Sequence, residues 1–196
     1  MYKVVGMGLT RAFRVLWALE ELGLEYEHDP APPGSDTARA LNPSGKVPIL
    51  LDGETKITDS TAILTYLADK HGGLTHPAGT RERARQDALM HAFLDEIEGL
   101  LWVNSRHAFI LPEDRRVPAI RPSLEWEYDR NIDCLAGRFV GPYLSGDQMT
   151  IADIVATHCL NWAHAAKFPT TNPVFKAYSK EMRNRPAFMQ AQAKLA

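Results

Sequence analysis

Cysteine is scarce in this chain: two residues in 196, Cys134 and Cys159, 25 positions apart and in no CxxC spacing. That excludes a disulfide scaffold, a thiolate zinc site and a CxxC redox centre. Two buried free thiols in a reducing compartment are expected instead. Long apolar runs are missing too, so no segment reads as a membrane-spanning helix. The start, Met1-Tyr2-Lys3-Val4-Val5-Gly6, is too short for the apolar core of a signal peptide, and a cytoplasmic protein is expected. Neither sign of charge dominates: 22 basic residues against 24 acidic give a net charge of −2, which offers no global field to nucleic acid or an anionic membrane. No phosphate loop, dinucleotide fingerprint or nucleic-acid module is present. The seven histidines make no ligand set, because His158 and His164 are six apart and fall on different faces of a helix, so no metal is expected. What remains is 45% apolar and 23% charged, enough for one large or two small domains with a true core.

The pattern changes character near residue 80. Before it, Tyr2-Lys3-Val4-Val5 reads as a strand closed by Gly6-Met7-Gly8. Thr10 then stands where a helix cap belongs, ahead of Ala12, Phe13, Val15, Leu16, Leu19 and Leu22, with Gly23 as the stop. Glu25 to His28 alternates like a second strand, Asp29 to Ser35 is loop, and a weak helical turn follows around Thr37 to Leu41. The turn Asn42-Pro43-Ser44-Gly45 leads into the apolar run Val47-Pro48-Ile49-Leu50-Leu51. Asp52-Gly53 between that run and Lys56-Ile57 is a strong hairpin signal. Pro48 cannot donate to a ladder, so it belongs at the first residue of a strand or on an edge. Thr58 or Asp59 caps a helix bearing Ile63, Leu64 and Leu67, ended by Gly72-Gly73. The order β-α-β, poor helix, β-β-α is a thioredoxin-like pattern: four strands with one antiparallel pair at the end and a right-handed crossover joining the first two.

After the linker 74–80 no strand signal appears. A long helix is expected from Arg81 to about His107, broken by Leu111-Pro112-Glu113-Asp114, and a second from Pro122 or Ser123 to Phe139. Thr150 and Asp153 have the spacing of a capping box, with Met149 and Ile154 placed to staple across it. Asn172-Pro173 opens a further helix, and Arg185-Pro186 precedes a short last one. The expected fold is α/β plus all-α: a thioredoxin-like domain over 1–73, then an all-helical domain over 81–196.

Val47-Pro48, Asp59-Ser60 and Thr150-x-x-Asp153, in this order and spacing, resemble the cytosolic glutathione transferases of bacterial type over nearly the whole chain. The resemblance implies a cis proline, with the backbone of Val47 pairing with glutathione as an added strand, and Asp59 and Ser60 holding the γ-glutamyl end at a helix N-terminus. Lys46, or an arginine near Arg39, would meet the glycyl carboxylate. It further implies glutathione as cosubstrate, a small hydrophobic electrophile as second substrate, no metal and a homodimer. The electrophile pocket would be lined by Trp102, His107, Phe109, Trp162 and Phe168, each of which also reads as core.

Ionising the thiol is the chemical demand. A free thiol has a pKa of about 8.5, and lowering it by two units takes roughly 2.7 kcal/mol of preferential thiolate stabilisation. Thr10, between the first strand and the first helix, stands where many bacterial members place the hydroxyl or thiol that does this; Arg11 beside it is the second candidate. Both also read as structural, Thr10 as a plain cap with its hydroxyl turned to its own helix. Gly6-Met7-Gly8-Leu9 departs from the family's common forms, lacking serine and cysteine. That keeps a non-catalytic glutathione-binding or assembly module as an alternative, beside a glutathione-dependent peroxidase or isomerase. A reductase acting through its own cysteine is disfavoured, since the first domain has none.

Overall fold

The computed structural model of the protein describes residues 1–195. They divide into two compact units: Met1–Ala78 together with the residues from Met182 onward, and Gly79–Glu181.

In the first unit β1 (Tyr2–Val5), α1 (Ala12–Glu21), β2 (Tyr26–Asp29), α2 (Asp36–Leu41), β3 (Ile49–Asp52), β4 (Thr55–Thr58) and α3 (Ser60–His71) follow one another. The sheet order is β2-β1-β3-β4, a thioredoxin-like arrangement. β1 and β2 are parallel, but β3 pairs antiparallel with β1 as well as with β4, so the sheet has two antiparallel pairings where one was expected. The reason is the connection. Asp29 and Ile49 both lie level with Val5, and six-residue α2, about 9 Å long, never carries the chain back along the sheet. β3 must therefore set off in the opposite direction.

Every residue of α1 from Ala12 to Leu19 is buried. One side of this helix is covered by an element expected elsewhere. The last helix, α9 (Pro186–Ala193), sets Phe188 edge-on to Phe13 and Trp17, with ring centroids 5.1 and 5.0 Å apart. Arg185 forks onto the Glu21 carboxylate at 2.6 and 2.7 Å, and the Trp17 indole donates to the same group. The helical domain was expected to run to residue 196; the segment from Met182 packs instead in the first unit, because its aromatic anchor fits the apolar flank of α1.

The named elements of the second unit are all helical. Thr80 caps α4 (Arg81–Ala92) by accepting from the Arg83 N–H. The chain then passes without a break through a π-helical segment (Phe93–Glu98), α5 (Gly99–Ser105) and a second π-helical segment (Arg106–Ile110). Two short 3-10 turns lead to α6 (Arg121–Ala136), and α7 (Ile151–Ala165) and α8 (Pro173–Arg183) follow. The capping box at the start of α7 is formed, and Met149 and Ile154 are both buried beside it. Asp153 does more than close that box. One carboxylate oxygen accepts from the Thr150 N–H and hydroxyl, at 2.8 and 3.1 Å; the other accepts from the Leu144 N–H and the Tyr178 hydroxyl, at 2.9 and 2.8 Å. Burial pushes the carboxyl above its usual range against these four donors. Of the two thiols Cys159 is buried, but Cys134 is exposed. It sits on the outer face of α6, whose apolar stripe is carried by Leu124, Tyr128, Ile132 and Leu135.

Candidate functional site

Three segments of the first unit converge at the C-terminal end of β1. The β1–α1 loop starts at Gly6, at φ +147°, where an added Cβ would lie 2.9 Å from Val47 Cβ and 3.0 Å from Ala12 Cβ. Only a residue without a side chain lets the loop lie this close to the Val47 turn. Val47-Pro48 is a cis peptide, with Pro48 buried just ahead of β3. The turn before it is tied internally: Asn42 Nδ2 donates to the Lys46 carbonyl, and the Lys46 N–H to Ser44 Oγ, leaving the Lys46 side chain exposed. Arg39 donates to the Gly34 carbonyl, and the Gly34 N–H to the Gly45 carbonyl, so the loop after β2 is pinned against the same turn.

Thr10 is half-buried, and its hydroxyl donates to the Met7 carbonyl at 2.6 Å while accepting from the Ala12 N–H at 3.2 Å. The helix cap position itself is Arg11. The single Thr10 proton therefore points into its own turn. The Met7 carbonyl also receives the Thr10 N–H at 3.0 Å. Among the described residues the N–H groups of Gly8 and Leu9 meet no internal acceptor.

At the start of α3, Asp59 is the cap. Its Oδ1 accepts from the N–H groups of Thr61 and Ala62 at 2.9 and 3.0 Å, and its backbone sits at φ +72°, ψ +124°, a strained conformation for a residue with a side chain. Ser60 follows, 2% exposed. Its Oγ accepts from Arg14 Nη1 at 3.3 Å, and its N–H has no acceptor among the described residues. Asp59 thus satisfies the second and third N–H groups of the turn. Ser60 presents the first N–H and a hydroxyl proton.

Arg14 is the residue the sequence reading missed. It lies in an otherwise apolar run on a helix buried all round, and it is 0% exposed. The signal was available: a lone cation among Ala12, Phe13, Val15, Leu16 and Trp17 must find polar partners inside.

The residues expected to line an electrophile pocket are dispersed in character. Trp102 on α5 and Trp162 on α7 are half-buried, the latter edge-on to His158 at 6.2 Å. Phe109 is 67% exposed. Phe168 is core, packed against Tyr128 and under the Arg121 guanidinium. His107 accepts the Val117 N–H on Nδ1 at 3.1 Å, which leaves its proton on Nε2. Of these residues His107 alone lines an open cavity of about 440 Å³ at the end of the second π-helical segment, beside Glu113, Arg116 and Arg121. Among the described residues no group of three or more His, Cys, Asp or Glu is placed to hold a metal, and no helix is long and apolar enough to cross a membrane.

A family model described as "Glutathione S-transferase, N-terminal domain" matches residues 12–75. The chain is 34% identical over 130 residues to glutathione S-transferase theta-2B of Homo sapiens, an alignment covering 59% of this chain and 50% of that protein. It thus spans about half the length of that relative. It is 28% identical to glutathione S-transferase 4 of Zea mays, over 94% of this chain and 89% of the maize protein. Among solved structures, a glutathione transferase from Methylococcus capsulatus superposes with a TM-score of 0.87 at 27% identity, covering 100% of this chain and 98% of the other.

Proposed function

The chain belongs to the glutathione S-transferase family, and on that premise we propose that it binds glutathione at the Val47-Pro48 turn and the start of α3, ionises the thiol at the β1–α1 loop, and adds it to a small hydrophobic electrophile. The observation that carries this reading is Ser60. A helix N-terminus attracts a carboxylate, and here Asp59 already caps two N–H groups, so the open donors belong to one residue, matched to the two oxygens of the γ-glutamyl carboxylate. The second oxygen of Asp59 is exposed for the ligand ammonium. Val47 offers its backbone to the cysteinyl unit, and Lys46 reaches the glycyl carboxylate.

The thiolate is assigned to Thr10, with Arg11 and the Gly8 and Leu9 amides as further donors. Releasing the Thr10 hydroxyl from Met7 is inexpensive, because the Met7 carbonyl keeps the Thr10 N–H as a partner and is not left orphaned. Swung outward, the hydroxyl gives a charge-assisted bond to sulfur. Trp102, His107, Phe109 and Trp162 are the residues assigned to the electrophile, and a cytoplasmic homodimer is the form we assign to the protein. The observation that Met7 already holds the Thr10 proton favours one other reading, a glutathione-binding module without chemistry.

The test of the binding site is Ser60→Ala. Calorimetry should show glutathione held about 1–2 kcal/mol less tightly, since a hydrogen bond to a charged group is lost, with the fold kept because Asp59 remains the cap. Unchanged affinity in the folded variant removes Ser60 from the site.

A further inference from the structure

We propose that Arg14 is a positioning residue for glutathione binding: its buried guanidinium fixes the hydroxyl of Ser60 so that the serine proton faces the γ-glutamyl carboxylate. The inference rests on the assignment of Ser60 made above. Three observations carry it. Arg14 and Ser60 are 0% and 2% exposed, so water does not compete for the contact between them. A guanidinium has donors only, so in the 3.3 Å contact of Arg14 Nη1 with Ser60 Oγ the serine must accept. And the hydroxyl is not needed for the helix, since the Thr61 and Ala62 N–H groups are already taken by Asp59.

The consequence is directional. A serine hydroxyl has one proton and, left alone, rotates among its staggered positions, some of which point its lone pairs at an arriving anion. With Arg14 donating from the protein side, the lone pairs are held inward and the proton is left for the open side. Donation by a cation also polarises the O–H bond and strengthens the next hydrogen bond in the chain. The arrangement Arg14–Ser60–carboxylate runs donor to acceptor in a single sense, so the cation reaches the ligand's charge through a neutral hydroxyl. Arg14 makes an interaction beyond the Ser60 contact, and its complete burial restricts the guanidinium.

A double-mutant cycle tests this. Glutathione affinity is measured by calorimetry for the full chain, for Arg14→Met, for Ser60→Ala and for the pair. Arg14→Met keeps much of the side chain's bulk and removes every donor. The expected result is a loss of about tenfold for each single variant, and no further loss in the pair, because both substitutions break one relay. Additive losses would mean that Arg14 supports the fold or the ligand without Ser60, and would overturn the proposal. So would a folded Arg14→Met that binds like the parent while Ser60→Ala is weakened. Unchanged binding by Ser60→Ala would instead sink the assignment of Ser60 itself, and this proposal with it.

Should Arg14→Met fail to fold, Ser60→Cys reads the same contact with Arg14 in place. Burial alone raises a thiol at this position, so the introduced thiol, titrated by thiolate absorbance, is compared with the same thiol in Arg14→Gln and should ionise at lower pH where the guanidinium faces its sulfur. Equal values in the two proteins would show that the guanidinium does not address this side chain, and would overturn the proposal.

Discussion

Replacing Asp153 by alanine removes an acceptor that four donors share. A helix cap at the surface contributes about 1 kcal/mol, because water takes over the freed N–H groups. Asp153 is 0% exposed. The Thr150 and Leu144 N–H groups are fixed by the backbone and cannot turn away; the Thr150 and Tyr178 hydroxyls can rotate, but inside the same dry region. A buried donor left without a partner costs about 1–3 kcal/mol, so two fixed donors and two adjustable ones sum to about 3–5 kcal/mol. In a protein of this size each kcal/mol lowers Tm by about 2–4 °C, and Asp153→Ala should unfold about 6–20 °C below the parent by calorimetry. Asp153→Asn should fall between the two, since its amide keeps one of the two accepting oxygens and turns a donor toward the other pair. Glutathione affinity of the folded variant should be unchanged. A Tm within about 2 °C of the parent would refute the reasoning, and lost binding at full stability would mean that a site has been mistaken for scaffold.

Two further outcomes follow from the first unit. Gly6→Ala should destabilise by about 2 kcal/mol or more in urea unfolding, since φ +147° is strained for any side chain and the new Cβ meets Val47 and Ala12; Gly8→Ala meets only the tip of Leu195, which can swing aside, and should cost less than about 1 kcal/mol. The docking of α9 on α1 should weaken in acid: burial raises the Glu20 carboxyl, but the Lys194 ammonium and the Tyr26 hydroxyl outweigh it and hold it below its ordinary value. Its contribution is therefore full above the unfolded carboxyl pKa of about 4.3 and is lost as pH falls through the lowered folded value. Trp17 fluorescence reports the change, and an acid titration identical in Glu20→Gln and the parent would contradict this.

The parts of the fold legible in the sequence were those written in local chemistry. Asp52-Gly53 announced the β3–β4 hairpin, Gly72 the end of α3, where it adopts φ +66°, and Thr150 with Asp153 the start of α7. What stayed hidden depends on distant partners. The antiparallel pairing of β3 with β1 follows from where α2 leaves the chain, which no periodicity records. The π-helical segments each insert a residue into a helix whose apolar spacing continues. α9 reads as one more amphipathic helix, and only the fit of Phe188 between Phe13 and Trp17 gives it to the first unit. At the site, the sequence offers Asp59 as a cap and Asp59 with Ser60 at a helix N-terminus; the geometry adds that Asp59 takes the Thr61 and Ala62 N–H groups and leaves that of Ser60. Arg14 went unread because periodicity weighs apolar positions and passes over the one charge among them. The hydroxyl of Thr10 had two directions open to it, and in this structure it takes the one toward Met7.

For Thr10 to ionise the thiol, its hydroxyl must turn from the Met7 carbonyl to the sulfur. Thr10→Val keeps the shape of the side chain and removes the donor, while Thr10→Ser keeps the donor. The pKa of bound glutathione, followed by thiolate absorbance, should rise in Thr10→Val by one unit or more, about 1.4 kcal/mol, with Thr10→Ser like the parent. Affinity at pH 6, where the thiol bound to the valine variant is largely protonated, should be nearly unchanged, and the pH–rate profile for conjugation should move upward with the pKa. Equal ionisation in the parent and Thr10→Val would transfer the role to Arg11 or the loop amides. A bound thiol that titrates at about 8.5 in the parent itself would contradict the transferase reading and leave a glutathione-binding module.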